Sequence, residues 1–245
     1  MNKFIGLFVV CVASNAFAQA NNVATTLAPN ADLVEFVSLE QMPLPIPKSE
    51  VEKMQKLSSA KAIDGFSSTE KSPEMVRGFF HHMNTAKTLV ANRLPENAQQ
   101  QKGGKHSPEV HKDLSNLKLA FKAASFNRGT LVAAAPSGTQ IDNAWTGVER
   151  FFQIEGAGSV RLSEFDLGAT KGKFYMLKDA VNTRVNGKPA ISKVFTDDDG
   201  QSIEEVVWVS GNKFYMFTFG PDIVPGSKVK AAAHISAHTL AQELR

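Results

Sequence analysis

Apolar residues recur at helical spacing in the first half of this chain and alternate with polar residues in the second half, with the change near residue 129. A spacing of three and four residues is typical of one face of a helix, whereas a period of two indicates strands. The pattern therefore predicts an α+β fold. We expect an antiparallel β-meander of about six to eight strands in the C-terminal half, packed against N-terminal helices and one C-terminal helix.

Three N-terminal helices are predicted from their start signals. Ser49–Glu52 is a capping box, in which the serine and the glutamate each satisfy a backbone amide at the helix start. Ser72–Glu74 and Ser107–Glu109 both place a capping serine before a proline at the first helical position. The apolar stripe expected after the third start is Val110, Leu114, Leu117 and Phe121. The C-terminal helix is predicted over 227–244.

The alternating region contains eight predicted strands separated by turn residues. They are Leu131–Ala135, Gly147–Ile154, Val160–Leu167, Lys173–Lys178, Val181–Val185, Ala190–Thr196, Ile203–Val209 and Lys213–Phe219. Three separators are specific hairpin signals, namely Asn186-Gly187, Asp199-Gly200 and Gly211-Asn212. Because strands joined by tight turns are antiparallel neighbours, we expect strand order in the sheet to follow the order along the chain.

The N-terminal segment 1–18 has the three parts of a secretory signal peptide. Lys3 supplies the positive region, Phe4–Val12 is an apolar run too short to span a bilayer, and Ala16–Ala18 has the small-x-small pattern of a cleavage site. An uncleaved anchor would need a longer run, and Cys11 lacks the preceding box of a lipoprotein. We therefore predict cleavage after Ala18 and a periplasmic product without a membrane span.

The remaining chain divides by composition into an arm and one domain. Residues 19–48 form an extended, proline-containing arm, because prolines at alternate positions 43, 45 and 47 hold the backbone extended. Residues 49–245 are expected to form a single α+β domain. Its helical part covers 49–126, its sheet 129–220, and its C-terminal helix 227–244.

Composition limits the function classes. The chain is 42% hydrophobic and 21% charged. Such a composition is typical of globular proteins. The charge excess is 27 − 24 = +3, which is too small to indicate nucleic acid as a partner. The single cysteine, Cys11, lies in the predicted signal peptide, so the mature chain would lack thiol chemistry and disulfides.

The last hairpin carries the most informative pattern. Both alternating sets of its strands are apolar, whereas an antiparallel sheet that is wetted on one side shows apolar residues on one face only. Both faces must therefore be covered, by helices, by the proline-containing arm, by a ligand or by a partner. The candidate binding residues are the aromatic side chains Trp208, Tyr215, Phe217 and Phe219.

Signals for catalysis and metal binding are weak. His234 and His238 stand four residues apart on the predicted last helix, the spacing of two metal ligands, but no third ligand follows at a defined spacing. Asp197–Gly200 lacks the glutamate that ends a calcium loop and is better explained as a turn. Nucleophile motifs of the known hydrolase types are absent. We expect no cofactor and no catalytic residues.

Three hypotheses for function remain open. The first is a non-enzymatic periplasmic binding or interaction module of the cell envelope, with an envelope protein as a possible partner. The second is a carrier of an apolar small molecule or lipid. A curved antiparallel sheet with helices across one face resembles the periplasmic lipoprotein carriers in architecture, and that resemblance implies a pocket between sheet and helices. The third is an envelope hydrolase with unrecognised residues.

Overall fold

The structure is a computed structural model that describes residues 11–12, 33–38, 41, 68–91, 110–170, 173–222 and 235–245. Several predicted segments lie outside these residues. They include most of the signal peptide and of the arm, the helix beginning at Ser49, the start at Ser107–Glu109, and residues 223–234 with His234. The described part is mostly sheet with few helices, which is compatible with the predicted α+β class.

Eleven strands are present in the described residues: β1 Cys11–Val12, β2 Val34–Val37, β3 Ser68–Lys71, β4 Thr130–Ile141, β5 Ala144–Ile154, β6 Gly158–Asp166, β7 Lys173–Leu177, β8 Thr183–Val185, β9 Lys188–Thr196, β10 Ser202–Ser210 and β11 Lys213–Pro221. The helices are α1 Pro73–Ala91, α2 Leu167–Thr170 and α3 Ala237–Ala241, with a 3₁₀ turn at Lys178–Ala180.

The main sheet has eight strands in the order β3-β9-β10-β11-β6-β5-β4, and β8 pairs with β9 as well. It consists of two three-stranded meanders, β4-β5-β6 and β9-β10-β11, joined by antiparallel pairing of β6 with β11. The expectation of one continuous antiparallel meander is therefore wrong in two respects. Strand β6 is not followed in the sheet by β7, and β3 runs parallel to β9.

A second, small sheet has the order β1-β7-β2. Strand β7 was expected inside the meander, but it pairs in parallel with β2, and its Phe174 ring lies 4.9 Å from that of Phe214 in the main sheet. This ring contact belongs to an apolar cluster that covers part of the main sheet. Because β1 belongs to the predicted signal peptide, a chain cleaved after Ala18 would keep only β7 and β2.

Tight turns set the hairpin registers. Asn186 and Gly187 have φ of 47° and 78°, the left-handed pair that a two-residue hairpin turn of the predicted kind requires. A further turn at Asp142 and Asn143, with φ of 49° and 60°, joins β4 to β5. No glycine marks this turn in the sequence, and strand β4 extends to Ile141, beyond the predicted end at Ala135.

Helix α1 begins where Ser72–Glu74 predicted, and the Ser72 carbonyl accepts hydrogen bonds from the first-turn amides. The predicted third helix is wrong within the described residues, since 110–129 contain no helix. There the backbone pairs with the main sheet instead, at His111 with Ala134 and at Leu119 with Trp145. The final helix covers only Ala237–Ala241 of the predicted 227–244, of which 227–234 lie outside the described residues.

Both faces of the β10–β11 hairpin are buried within the chain. On one face, α3 and the segment at Ala124–Phe126 pack over the central strands. On the other face, α1 packs at one end and the small sheet at the other, in two separate apolar clusters. Gly220 lets α1 approach closely, because a Cβ there would lie 2.4 Å from the Phe79 ring. The stretch of sheet between these two clusters carries the site described next.

Candidate functional site

The four predicted aromatic residues lie together on the face that α3 covers. Trp208, Tyr215, Phe217 and Phe219 are all buried, and Phe217 is fully so. Trp208 stacks on Tyr215 with ring centroids 4.9 Å apart, and Phe217 packs edge-to-face against Phe126 at 5.4 Å. The chain's own side chains, including Leu240 of α3, complete this cluster. A role of these aromatics in binding stays a prediction.

The predicted metal candidates do not come together in the described residues. His238 Nε2 lies 2.8 Å from the Arg184 carbonyl oxygen, a contact that holds α3 against β8, and His234 lies outside the described residues. Asp197 accepts hydrogen bonds from the amides of Asp199 and Gln201, so its carboxylate supports the turn, as expected. The part of the chain that the structure describes contains no group of three or more His, Cys, Asp or Glu residues suited to a metal ion.

The opposite face carries a feature that sequence analysis did not anticipate. Four polar side chains stand in direct cross-strand register on adjacent strands: Lys193 on β9 opposite Glu205 on β10, Glu205 opposite Thr218 on β11, and Thr218 opposite Arg161 on β6. We call these four residues the polar row. Residues opposite each other on one face of a sheet have their Cβ atoms about 5 Å apart, so the row is a continuous line of interacting groups.

The polar row is buried between the two apolar clusters. Lys193 and Glu205 are only 6% and 7% exposed, and Thr218 is fully buried. On β10, Ile203 lies two positions before Glu205 and belongs to the apolar cluster under α1. Val207 lies two positions after Glu205 and belongs to the apolar cluster under the small sheet. Charged groups in such surroundings lose their hydration, which is costly unless something compensates for it.

The loss of hydration shifts the pKa values of Lys193 and Glu205. Burial lowers the pKa of the Lys193 ammonium to about 8, although Glu70 and Glu205 oppose that change. Burial also raises the pKa of the Glu205 carboxyl, against the opposing influence of Arg161, Lys193 and a 3.5 Å hydrogen bond from Thr218. Both groups are shifted toward their neutral forms, so desolvation outweighs their attraction to nearby charges.

At the Arg161 end, the row reaches solvent beside helix α1. His82 is exposed, and its Nδ1 lies 3.5 Å from Nη1 of Arg161. Partial desolvation of the ring and the neighbouring guanidinium lower the pKa of His82, while Glu149 opposes the change. Glu149 accepts a hydrogen bond from Ser163 at 3.3 Å. This end of the row, which we call the rim, therefore combines an arginine, an imidazole and a half-buried carboxylate.

Arg161 is incompletely satisfied. Its Nε atom is buried and has no hydrogen-bond partner among the described residues. The ion pairs found in the described part of the chain do not include it. A guanidinium carries five donors and normally finds carboxylate or backbone oxygens for them. The rim therefore holds donor capacity that the described part of the protein leaves unused.

A second buried charge cluster, on the face of the aromatics, places one carboxylate among three donors. Glu164 is fully buried, forms an ion pair with Arg150, and accepts from Lys213 Nζ at 3.3 Å and from the Ala124 amide at 2.9 Å. These contacts fasten the segment at Ala124 and Phe126 over the sheet. In a strand sequence a glutamate is typical of the solvent face, but the structure buries Glu164 completely.

Sequence analysis missed the polar row for a related reason. Each of the four residues is a polar position within a strand, and in an isolated strand such a position indicates the solvent face. The only available signal was that their hairpin had to be covered on both faces. That signal does not show which polar positions lie opposite each other, because register across four strands depends on the turns and on the β6–β11 pairing.

The chain matches no protein-family model, and no curated protein or solved structure is significantly similar to it. The architectural resemblance to lipoprotein carriers therefore gains no support from relatives. No helix within the described ranges is long and apolar enough to cross a membrane. Function has to be inferred from the site itself.

Proposed function

We propose that the protein is an exported, non-enzymatic binding protein of the bacterial cell envelope, and that it binds through the polar row and its rim. The observation that carries this proposal is the burial of Lys193 and Glu205 in register with Thr218 and Arg161. Groups with strongly perturbed pKa values that cluster at one place are candidates for a functional site.

A contribution to the stability of the fold does not explain why these four positions are polar. Replacing a buried ionic network by apolar residues of similar volume is often neutral or stabilising by about 1–4 kcal/mol. Apolar residues already lie on both sides of the row, so they would extend the two clusters into one. A ligand or partner group that accepts from Arg161, whose Nε has no partner among the described residues, supplies a reason for keeping polar residues here.

Export is supported by the N-terminal pattern alone. Lys3, the short apolar run and Ala16–Ala18 form a signal peptide in sequence, and the mature chain would carry no cysteine. Neither alternative is favoured by a specific observation. The aromatic cluster around Phe217, where a carrier would hold its ligand, is packed with the chain's own side chains, and no described feature points to a hydrolase.

The test begins with production of the full-length chain in a Gram-negative host. The intact mass of the periplasmic product should correspond to a first residue of Gln19. A photo-crosslinking amino acid is then placed at His81, which is exposed on α1 beside the rim, and in a matched control at Lys188, which is exposed at the far end of β9. Both variants are irradiated in living cells.

We expect a discrete adduct with an envelope component from position 81 and none from position 188. The added substitution Arg161→Met should reduce the adduct, because it removes the donors at the rim. Equal labelling at both positions, or none at either, would contradict binding at the rim. A product with Met1 intact would contradict export, and turnover of envelope components by the purified protein would contradict the non-enzymatic part of the proposal.

A further inference from the structure

We infer that the rim binds an oxyanion, a carboxylate or phosphate group of the ligand, beside the guanidinium of Arg161 and the imidazole of His82 that it contacts. This inference deepens the proposed function and rests on it, since it assigns a ligand chemistry to the same site. Its geometry depends on three observations: the position of Arg161 at the solvent end of the polar row, its unused donor, and the neighbouring imidazole.

The donors at the rim suit an oxyanion. Arginine can only donate, so the 3.5 Å contact makes His82 Nδ1 the acceptor and places the proton of the neutral ring on Nε2. The planar fork of the guanidinium matches two oxygens of a carboxylate or phosphate, which gives short charge-assisted hydrogen bonds. A half-buried position strengthens such bonds relative to bulk water, because the local dielectric constant is lower.

The acidic residues near the rim do not form an ion pair with Arg161. Thr218 separates Glu205 from Arg161 along the row and donates a hydrogen bond to Glu205. Glu205 forms no ion pair within 4.0 Å among the described residues. Glu149 accepts from Ser163. Neither carboxylate neutralises Arg161 by direct contact. Lys193 adds a second positive charge on the same face when it is protonated, and Glu70, which influences Lys193, lies on the edge strand β3 at the other end of the row.

A cation on the ligand is the competing chemistry. Glu149 and Glu205 could attract an ammonium group, but Glu205 is buried and the guanidinium of Arg161 would repel the approaching cation. The rim therefore favours anions at the point that solvent reaches.

The experiment is a titration of the full chain in Tris buffer with inorganic phosphate, with acetate, and with sodium chloride at matched ionic strength. Chemical shifts of the His82 ring and of Arg161 Nε are followed by NMR, and affinity is measured by calorimetry. Phosphate and acetate distinguish a phosphate-bearing from a carboxylate-bearing ligand. The variants are Arg161→Met, Arg161→Lys and, as a control with the same charge change, Arg77→Met at an exposed position of α1.

We expect saturable shifts of both side chains with phosphate or acetate but not with chloride. Loss of charge-assisted hydrogen bonds should weaken binding about ten- to a hundredfold in Arg161→Met, with a smaller loss in Arg161→Lys and none in Arg77→Met. If Arg161→Met does not fold, the wild-type shifts and Arg161→Lys still decide the question. Shifts that do not saturate, or an equal loss in Arg77→Met, would overturn the inference.

Failure here and failure of the proposed function can be told apart. An adduct from position 81 together with no anion binding would leave the rim as an interaction site with different chemistry. Saturable anion binding without an adduct would support the ligand class while contradicting the envelope partner.

Discussion

Substitution of Lys193 changes how the stability of the protein depends on pH. Burial lowers the pKa of this ammonium from 10.5 to about 8. Between these two values the lysine is protonated in the unfolded chain and largely neutral in the folded one. Because the unfolded state then binds more protons, the free energy of unfolding rises with pH across this window.

The magnitude follows from the width of the window, which is the difference between 10.5 and about 8. Each pH unit of that window corresponds to about 1.4 kcal/mol of unfolding free energy, so the gain approaches ~3 kcal/mol as an upper value. The full gain is present above pH 10.5, and it is lost as the pH falls through about 8, where the folded state must hold a buried charge. Lys193→Met removes this contribution.

The assay is urea unfolding of wild type and Lys193→Met at a series of pH values from about 7.5 to about 10.5. The free energy of unfolding of the wild type, minus that of the variant, should rise with pH by up to ~3 kcal/mol. Lys188→Met, at an exposed position of the same strand, is the matched control and should keep the wild-type slope. Parallel curves for wild type and Lys193→Met would refute the argument that Lys193 is desolvated.

Further substitutions test other parts of the structure by denaturant unfolding. Glu164→Leu leaves the buried Arg150 without its counter-charge. It should cost about 3–5 kcal/mol, and a change below about 1 kcal/mol would contradict the buried ion pair. Trp208 and Phe217 are buried in the core. Trp208→Ala and Phe217→Ala should each cost about 3–5 kcal/mol as core truncations, whereas an unchanged melting temperature with a lost bound species would indicate a binding role. The Asn182 carboxamide bonds both backbone groups of Ser192 at 2.8 Å. Asn182→Ala should therefore cost about 2 kcal/mol, and unaltered stability would show that water replaces the carboxamide.

Short-range patterns determined the local elements of this protein. Alternation located the strands after residue 129, and Asn186-Gly187 determined a hairpin because only residues that tolerate positive φ can form that turn. Ser72–Glu74 likewise marked the start of α1, since capping and proline chemistry act within one turn of helix. The apolar character of both faces of the last hairpin correctly required cover on both sides.

Tertiary structure alone decided how these elements are combined. The stretch after Ser107 has the apolar spacing of a helix, yet within the described residues His111 pairs with Ala134 of the main sheet. Its backbone groups bond to another strand and not to a residue one helical turn away. Strand β7 pairs in parallel with β2 and is not part of the main sheet. The polar row depends on the same long-range choice, because only the β6–β11 pairing places Arg161 on one line with Thr218 and Glu205. Whether a face is wet or buried is a property of what packs on it, and contacts between distant segments determine that.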